Sequence, residues 1–372
     1  MNKKKIVICL NNAWQAYNFR LNLARYLKKK DFQVIFVFPF DNKYYKLIEK
    51  EFECYNLSID AKGINPISDF KTMISLYKFY KKIKPNVVLN FTIKPNIYSS
   101  LVCTYLRIPC ISNITGLGTI FIKQSLITKV AKILYKMALF KNSKVFFQNN
   151  DDLTLFVEQK LVNSLNIDLL PGSGVDLNKF IPQKNELKTN RFTFLMVARL
   201  LKDKGIYELI DAIRLLKKEK IPFEVHLLGA LGVENNTAIK KEELDDWVEK
   251  GYVTYLGTTD DVQKVIVNCD CVILPSYREG TPRSLLEAAA MEKPIITTDT
   301  VGCREVVDDN INGFLCKVKS SDDLASKMKM MLLLTEKERA KMGILGREKI
   351  EKDFDEKIVL HKYYNTISKI LV

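Results

Sequence analysis

The chain has 372 residues, of which 47% are hydrophobic, and its formal net charge is +15. This length predicts two domains of about 170 to 190 residues rather than a single core. No apolar run approaches the ~20 residues of a membrane-spanning helix, and residues 6–10 are too short for a signal peptide, so we expect a cytoplasmic protein.

The positive charge is concentrated in the first half of the chain. Residues 1–180 contain 27 Lys and Arg against 12 Asp and Glu, whereas residues 181–372 contain 31 of each kind. A basic half of this kind indicates an anionic partner, which could be a membrane surface or a nucleic acid.

The cysteines and histidines do not predict a metal site. The eight cysteines form no Cys-x-x-Cys pair and have apolar neighbours, which is typical of buried free thiols. The two histidines, His226 and His361, are too few for a zinc site or a histidine-based triad.

Strands and helices alternate through the first half, which predicts a doubly wound parallel sheet. The predicted strands lie at residues 5–10, 34–39, 86–91, 111–114, 145–149 and 168–170. The predicted helices lie at residues 19–30, 71–83 and 151–161, and a polar, aromatic loop is expected at residues 11–18.

Residues 120–144 mix apolar side chains with lysines at roughly helical spacing. A basic amphipathic helix that lies on an anionic membrane would have this pattern. A core-packed helix with a solvated lysine face would have it as well, and the charge asymmetry favours the membrane.

The second half repeats the alternation after a crossover at residues 171–190 that is rich in Gly, Pro and polar residues. Residues 192–198 read as a strand, followed by Arg199, Lys204 and Gly205 before a helix at 206–220. Two cations on a strand-to-helix loop, with a glycine that permits close backbone approach, suit a diphosphate. An ordinary basic loop is the alternative.

The most informative segment places Glu279 and Glu287 after the predicted strand 271–274. Thr281 is a suitable N-cap and Pro282 a suitable first helical residue, so Glu287 should lie inside the following helix. Carboxylates accept hydrogen bonds from sugar hydroxyls, and a helix N-terminus attracts phosphate. The alternative is that both acids are solvated surface residues. Thr258, at the end of another predicted strand, adds a third ligand group at the same sheet edge.

These motifs together resemble the retaining, GT-B-fold glycosyltransferases of family 4. The resemblance rests on the paired acids, the Arg199 to Gly205 loop and residues 275–282, with residues 172–176, 301–305 and 312–314 in support. The first half resembles, more loosely, bacterial members that build lipid-linked glycans. The resemblance implies two Rossmann-like doubly wound α/β domains facing across a cleft, at residues 1–172 and 173–353. It also implies that a helix at 354–372 crosses back to the first domain.

The resemblance also implies a role for each donor-side residue. Arg199 and Lys204 would neutralise the donor diphosphate, Glu279 would contact the transferred sugar, and Glu287 would bind the ribose hydroxyls. The remaining donor-binding residues are predicted to be Gly280, Thr281, Arg283, Ser284 and Thr258. Retention of anomeric configuration is implied, without a metal ion, another cofactor or an obvious protein base.

The acceptor is expected to be a polyprenyl-diphosphate glycan at the inner face of the plasma membrane, bound by the first domain. The residues nominated for that side are Asn18, Arg20, Lys94, Asn96, Gly116, Leu117 and Gly118. We expect a UDP-linked N-acetylhexosamine as donor. The alternatives are a GDP-sugar donor, a soluble acceptor or, in a different class, a basic nucleic-acid-binding protein, for which no recognition motif is present.

Overall fold

The computed structural model describes residues 3–59, 65–116, 126–183, 191–233, 235 and 237–372. The chain divides into two units, of which the first comprises Met1–Leu170 with Val359–Val372 and the second Pro171–Ile358. The junctions predicted from the sequence lie after residues 172 and 353.

A seven-stranded parallel sheet with the order β3-β2-β1-β4-β5-β6-β7 forms the centre of the first unit. Its strands are β1 (Lys5–Cys9), β2 (Gln33–Phe38), β3 (Glu53–Asn56), β4 (Val87–Phe91), β5 (Cys110–Ile114), β6 (Lys144–Phe147) and β7 (Ile167–Leu169). Alternate residues of β1 belong to different apolar clusters, Ile6 and Ile8 to one and Val7 and Cys9 to another. Both faces of the sheet are therefore covered, which explains the continuous apolar runs in its strands.

Helices connect these parallel strands, as a parallel sheet requires. They are α1 (Ala13–Lys29), α2 (Tyr44–Ile48), α3 (Pro66–Ile83), α4 (Ser100–Leu106), α5 (Leu126–Leu139) and α6 (Asn150–Glu158). A π-helical turn, Pro95–Ser99, precedes α4. No helix in these described ranges, or in those of the second unit, is long and apolar enough to cross a bilayer.

The second unit contains a six-stranded parallel sheet with the order β10-β9-β8-β11-β12-β13. Its strands are β8 (Phe192–Val197), β9 (Phe223–Leu228), β10 (Thr254–Tyr255), β11 (Cys271–Leu274), β12 (Ile295–Thr298) and β13 (Gly313–Cys316). Its helices are α7 (Ile206–Lys218), α8 (Lys241–Glu249), α9 (Val262–Val267), α10 (Arg283–Ala290), α11 (Ser321–Leu333) and α12 (Glu336–Asp353). In both sheets the strand order reverses beside the first strand of the unit, so the predicted doubly wound α/β architecture is confirmed.

The last helix, α13 (Glu356–Leu371), packs into the first unit through Val359, Tyr363 and Ile367. The buried Tyr363 hydroxyl accepts a hydrogen bond of 2.7 Å from Asn113 Nδ2 in β5. Lys362 Nζ lies 2.9 Å from Asp168 Oδ1. The C-terminal segment is thus part of the first unit's core.

Three helix starts differ from the sequence prediction. The helix α3 begins at Pro66 rather than at residue 71, because the Asn65 side chain caps it. The helix α1 begins at Ala13, because the Asn12 side chain accepts a 2.8 Å hydrogen bond from the Gln15 N–H and caps it. The predicted loop 11–18 is therefore mostly helical. The helix α10 begins at Arg283, because Pro282 itself is extended with ψ 110° and occupies the N-cap position that was predicted for Thr281.

Candidate functional site

The donor-side residues lie on loops that follow neighbouring strands of the second sheet. β11 pairs with β8 on one side and with β12 on the other. The loops after these three strands carry Arg199 and Lys204, then Glu279, then residues 299–305. Because the strands are parallel, the three loops leave the same edge of the sheet, which is where open α/β sheets bind ligands.

Close backbone packing joins the loop after β8 to the loop after β11. Gly205 has φ 75°, and a Cβ there would lie 2.0 Å from the Pro275 carbonyl oxygen, so only glycine fits. The Asp203 carbonyl accepts hydrogen bonds from the Tyr277 N–H at 2.9 Å and from Ser276 Oγ at 3.1 Å. These contacts fix the position of Lys204 relative to the segment that leads to Glu279.

Lys204 and Glu279 form an ion pair between these two loops. Their side chains are only 17% and 15% exposed. The pair is thus partly shielded from water, which strengthens the attraction between its charges. A cation and an acid predicted to act on one donor are in direct contact.

The loop after β12 supports Glu279 from the other side. The Glu279 N–H donates a 3.0 Å hydrogen bond to the Val301 carbonyl. A Cβ on Gly302, whose φ is 84°, would lie 2.5 Å from the Gly280 oxygen and 2.6 Å from the Glu279 carbonyl carbon. The next residue, Cys303, is buried, and burial together with the nearby Glu279 carboxylate raises the pKa of its thiol to about 12. The thiol is therefore neutral, and its role is to pack against its buried neighbours.

Glu287 is buried on the second turn of α10. Its Oε1 lies 2.8 Å from Arg283 Nε, one helical turn earlier. Burial raises the pKa of the Glu287 carboxyl, while the positive charges of Arg283 and Lys179 oppose that rise. A buried carboxylate with spare acceptor oxygens is suited to hydrogen bonds from a diol.

The beginning of α10 contains the predicted phosphate-binding segment, which includes Gly280, Thr281, Arg283 and Ser284. The Thr281 side chain packs against Gly172, where an added Cβ would lie 2.8 Å from Thr281 Cβ. The Leu285 N–H already bonds to the Pro282 carbonyl at 3.0 Å. The N–H groups before Leu285 are those that a helix start directs towards a ligand.

The remaining donor-side predictions lie at strand ends without a contact to the two acids. Arg199 directly follows the close approach between the ends of the paired strands β8 and β9, where a Cβ on Gly229 would lie 1.8 Å from the Ala198 oxygen. Its side chain is exposed and makes no ion pair with the described residues. Thr258 is exposed beyond β10. The structure therefore brings together Lys204 and Glu279. It places Arg199 on the same loop as Lys204, and Thr258 beyond the edge strand β10, which β9 separates from β8.

The first unit contains the acceptor-side predictions, and several of them are buried. Arg20 is buried with its Cζ 4.0 Å from the Phe91 ring centroid. Asn96 is buried and donates a 2.8 Å hydrogen bond from Nδ2 to the Asn113 carbonyl. Asn18 lies on α1 and donates to the Trp14 carbonyl at 3.0 Å.

Lys94 is largely buried and ion-paired with Asp69, which also accepts a 2.6 Å hydrogen bond from Tyr98 Oη. Its charge is thus already balanced within the unit. Gly116 has φ 121°, and Leu117 and Gly118 lie outside the described residues. The acceptor roles of all these residues stay predictions.

Two residues that shape these sites, Lys179 and Asp69, and one ion pair were missed by sequence reasoning. The i, i+4 spacing of Arg283 and Glu287 could have indicated their ion pair. The charge of Lys179 opposes the rise in the pKa of Glu287, and Asp69 pairs with Lys94. Both residues lie far from these partners in the sequence, so no local pattern indicated them. No group of three or more His, Cys, Asp and Glu suited to a metal ion occurs among the described residues.

Two family models match the chain. The model described as "Glycosyl transferase 4-like" matches residues 7–149, and the model described as "Glycosyl transferases group 1" matches residues 178–349. The first match lies within the first unit and the second within the second unit, and together they cover most of the chain.

The curated relatives are bacterial sugar transferases. The N,N'-diacetylbacillosaminyl-diphospho-undecaprenol alpha-1,3-N-acetylgalactosaminyltransferase of Campylobacter jejuni is 27% identical over 372 residues, covering 95% of this chain and 96% of that protein. The UDP-Gal:alpha-D-GlcNAc-diphosphoundecaprenol alpha-1,3-galactosyltransferase of Escherichia coli is 28% identical, covering 72% of each chain.

Solved structures share the fold. Anabaena Alr3699/HepE in complex with UDP and glucose aligns with a TM-score of 0.81 at 18% identity, covering 98% of this chain and 100% of that one. A glycosyltransferase of Rickettsia africae aligns with a TM-score of 0.79 at 18% identity, covering 100% of this chain and 99% of that one. At this identity the likeness establishes the fold alone.

Proposed function

Since the chain belongs to the group 1 glycosyltransferases and has their GT-B fold, we propose that it transfers a sugar from a nucleotide-sugar donor to a polyprenyl-diphosphate-linked acceptor. The second unit binds the donor and the first unit binds the acceptor. The single observation that carries this proposal is the shielded contact between Lys204 and Glu279 at the carboxyl edge of the second sheet.

The donor is held by complementary charges and hydrogen bonds. Arg199 and Lys204 bind the diphosphate, and the N-terminal N–H groups of α10 add to the positive field. Glu287 accepts hydrogen bonds from the ribose hydroxyls, and Glu279 accepts them from the transferred sugar. When the donor binds, its diphosphate competes with Glu279 for Lys204, and the Glu279 carboxylate becomes available to the sugar.

The reaction exchanges one bond at the anomeric carbon. The bond to the donor diphosphate breaks and its electron pair leaves with the nucleoside diphosphate, while an acceptor hydroxyl oxygen bonds to the carbon and loses its proton. Negative charge grows on the leaving diphosphate, so Arg199 and Lys204 stabilise the transition state more than the bound donor. No metal ion is required in this scheme.

We propose retention of configuration and a UDP-N-acetylhexosamine donor. The names of the C. jejuni and E. coli relatives specify alpha-1,3 linkages, and the first specifies N-acetylgalactosamine. An alpha product from an alpha-linked UDP-sugar is a retention outcome. The NMR coupling constant of the anomeric proton in the product tests it, and a beta product would contradict it.

Both relatives are named for undecaprenyl-diphosphate-linked substrates, which supports the same acceptor class here. An acceptor of that kind is anchored in a membrane, so we propose that the chain acts as a peripheral protein at the membrane surface. The basic excess of residues 1–180 supports this location.

Transfer of radiolabelled sugar from UDP-N-acetylhexosamines to polyprenyl-diphosphate acceptors tests the function. Glu287→Ala should weaken donor use at least ~10-fold, because a hydrogen bond to a charged group contributes about 1.5–3 kcal/mol. Arg199→Ala and Lys204→Ala should reduce turnover more than donor affinity. Lys202→Ala is the matched control, since this exposed lysine lies on the same loop and has no assigned role. Transfer at wild-type rates by all three variants would overturn the assignment.

The identity of the donor can be tested without an acceptor. A ligand present at 100 times its dissociation constant raises the free energy of unfolding by about 2.7 kcal/mol. Thermal unfolding in a panel of UDP- and GDP-sugars should therefore show the largest shift with a UDP-N-acetylhexosamine. A larger shift of the unfolding temperature with GDP-sugars would indicate that the donor carries guanine rather than uracil.

A further inference from the structure

Two helices of the first unit, α3 and α4, expose a set of large apolar side chains. Ile67, Phe70 and Ile74 recur along one side of α3, and Tyr105 lies on α4. Each is between 40% and 78% exposed. Side chains at this spacing form a continuous stripe on a helix, so these residues make one surface rather than isolated exposures.

The helix α5 extends the same surface. Val130, Ile133 and Met137 on α5, and Phe140 just after it, are each more than half exposed. Their spacing of three and four residues places them on one side of the helix. The side of α5 that faces solvent is thus apolar as well as basic, unlike the purely lysine-coated face of an ordinary core-packed helix.

A groove joins the two sets of side chains. It has a volume of about 410 Å³, and its lining includes Phe70, Ile74, Tyr77, Tyr105 and Met137. This volume is within the ~300–1,000 Å³ of typical ligand pockets. We call the surface made by the groove and the exposed apolar residues of α3, α4 and α5 the apolar face.

Cations accompany the apolar face. Lys71, Lys78, Lys81 and Lys82 are exposed on α3, Arg107 is exposed at the end of α4, and Lys129 and Lys136 are exposed on α5. Asp69 is the only acidic residue in the sequences of the three helices, and it is buried against Lys94. The described part of the face therefore presents hydrocarbon and positive charge, and the three helices that form it contribute no exposed acid.

We propose that the apolar face docks on an anionic lipid bilayer, with lipid hydrocarbon entering the groove. The apolar side chains enter the region between head groups and acyl chains, and the lysines extend to the lipid phosphates. Each basic residue near an anionic surface adds about 1 kcal/mol, or roughly a fivefold gain in affinity.

The charges disfavour two other occupants. A second copy of the chain in a two-fold dimer would place this face against itself, and its lysines would oppose lysines. A nucleic acid would satisfy the lysines but would leave the aliphatic side chains of Val130, Ile133 and Met137 in contact with water or phosphate, because nucleic-acid interfaces are polar. An anionic amphiphile matches both properties.

This inference deepens the proposed function, because it identifies the surface that would bring the enzyme to a membrane-anchored acceptor. Its test needs neither donor nor acceptor. Flotation of the full chain with vesicles of phosphatidylcholine plus phosphatidylglycerol should recover protein with the lipid, whereas pure phosphatidylcholine vesicles should recover much less, and added salt should reduce the recovery.

Two sets of variants separate the apolar from the electrostatic contribution. The triple variant Phe70→Ser, Ile133→Ser, Met137→Ser should lose at least tenfold in affinity for the anionic vesicles. The variant Lys71→Gln, Lys78→Gln, Lys136→Gln should lose on the order of a hundredfold, at about fivefold for each lysine. The matched control Leu165→Ser, Leu333→Ser, Ile344→Ser removes equally exposed apolar side chains elsewhere and should bind as the wild type does.

Insertion can be followed directly. In the variant Phe70→Trp, anionic vesicles should shift the tryptophan emission to the blue, and lipids brominated on the acyl chain should quench it.

Two outcomes would overturn the membrane face and leave the proposed function intact. One is that the serine triple variant binds the vesicles as the wild type does. The other is that the wild type does not bind them while it transfers sugar to a short, chain-free acceptor. If the wild type forms a dimer that the serine triple variant abolishes, and the wild type does not bind vesicles, the apolar face is an interface between two copies of the chain.

Discussion

At the scale of single residues, four of the five predicted donor-binding charges are already paired within the described part of the second unit, and Arg199 is the exception. Lys204 contacts Glu279, and Arg283 contacts Glu287. Each pair keeps a partly buried charge from being left without a partner, which would otherwise be costly. These residues therefore contribute both to stability and to the proposed donor binding, and the two contributions can be separated by measurement.

The Lys204–Glu279 pair should couple in unfolding experiments. Lys204→Met leaves the Glu279 carboxylate without its cation, so we expect a loss of about 1–3 kcal/mol in the free energy of unfolding. The double variant Lys204→Met, Glu279→Gln should cost less than the sum of the single variants, because neither partner is then left charged and unpaired. Urea unfolding of the four proteins measures this, and additive losses would contradict a direct interaction.

The buried Glu287 carboxyl should make stability depend on pH. Burial raises its pKa in the folded protein above the ordinary value of 4.5. The contribution of this group to stability is therefore complete below pH 4.5 and is lost as the pH rises through the raised pKa. Relative to Glu287→Gln, which carries no charge at any pH, the wild type should lose stability as the pH increases over this window.

Thermal or urea unfolding of both proteins across this pH range provides the measurement. If the wild type instead gains stability relative to Glu287→Gln as the pH rises, Arg283 and Lys179 outweigh the desolvation of the carboxylate. The direction of the pKa shift would then be wrong.

At the scale of elements, the site depends on how closely the loops after β8, β11 and β12 approach each other. Glycines at positions 205 and 302 permit these approaches, and both have positive φ. A side chain at either position would both collide with the neighbouring loop and strain the backbone. A glycine that has a positive φ but no close neighbour separates these two effects.

Gly205→Ala and Gly232→Ala form such a comparison. Both glycines have similar φ, 75° and 65°. A Cβ on Gly205 would lie 2.0 Å from the Pro275 oxygen, whereas a Cβ on Gly232 would have no described atom within 4 Å beyond its chain neighbours. We expect Gly232→Ala to cost about 1 kcal/mol of backbone strain and Gly205→Ala to cost several times more and to abolish sugar transfer. Equal unfolding midpoints for the two variants would show that the loop contact is not required.

At the scale of the whole molecule, the end of the chain completes the core of the first unit. The Tyr363 ring lies 5.1 Å from the Phe146 ring and 5.9 Å from the Phe91 ring, measured between centroids. Its hydroxyl is bonded to Asn113. The core of the first unit thus combines residues that lie more than 200 positions apart in the sequence.

Tyr363→Ala should destabilise the first unit by about 3–5 kcal/mol, because it leaves a large cavity. Tyr363→Phe keeps the ring and should cost only about 1–3 kcal/mol for the unpaired Asn113 amide. Calorimetry should show the transition of the first unit at a lower temperature in Tyr363→Ala, with that of the second unit unchanged. A shift of the entire calorimetric transition to a lower temperature would indicate that the two units do not unfold separately.

The sequence by itself determined the architecture, because the alternation of apolar strands and amphipathic helices is a local pattern. The two doubly wound sheets and the strand–loop–helix setting of Glu279 and Glu287 were predicted in this way and confirmed. The family was predicted from the resemblance of the motifs at residues 199–205 and 275–287, and the family models confirm it. Helix starts at Ala13, Pro66 and Arg283 were mispredicted, because the choice of capping residue depends on small local energies.

Only the tertiary structure decided which side chains meet. Lys204 and Glu279 are 75 residues apart, and their contact follows from the pairing of β8 with β11, which no local pattern specifies. The burial of Arg20 and Asn96 and the pairing of Lys94 with Asp69 have the same origin. Likewise, the period of α5 predicted an amphipathic helix, but the side that remains exposed depends on how α3 and α4 pack beside it.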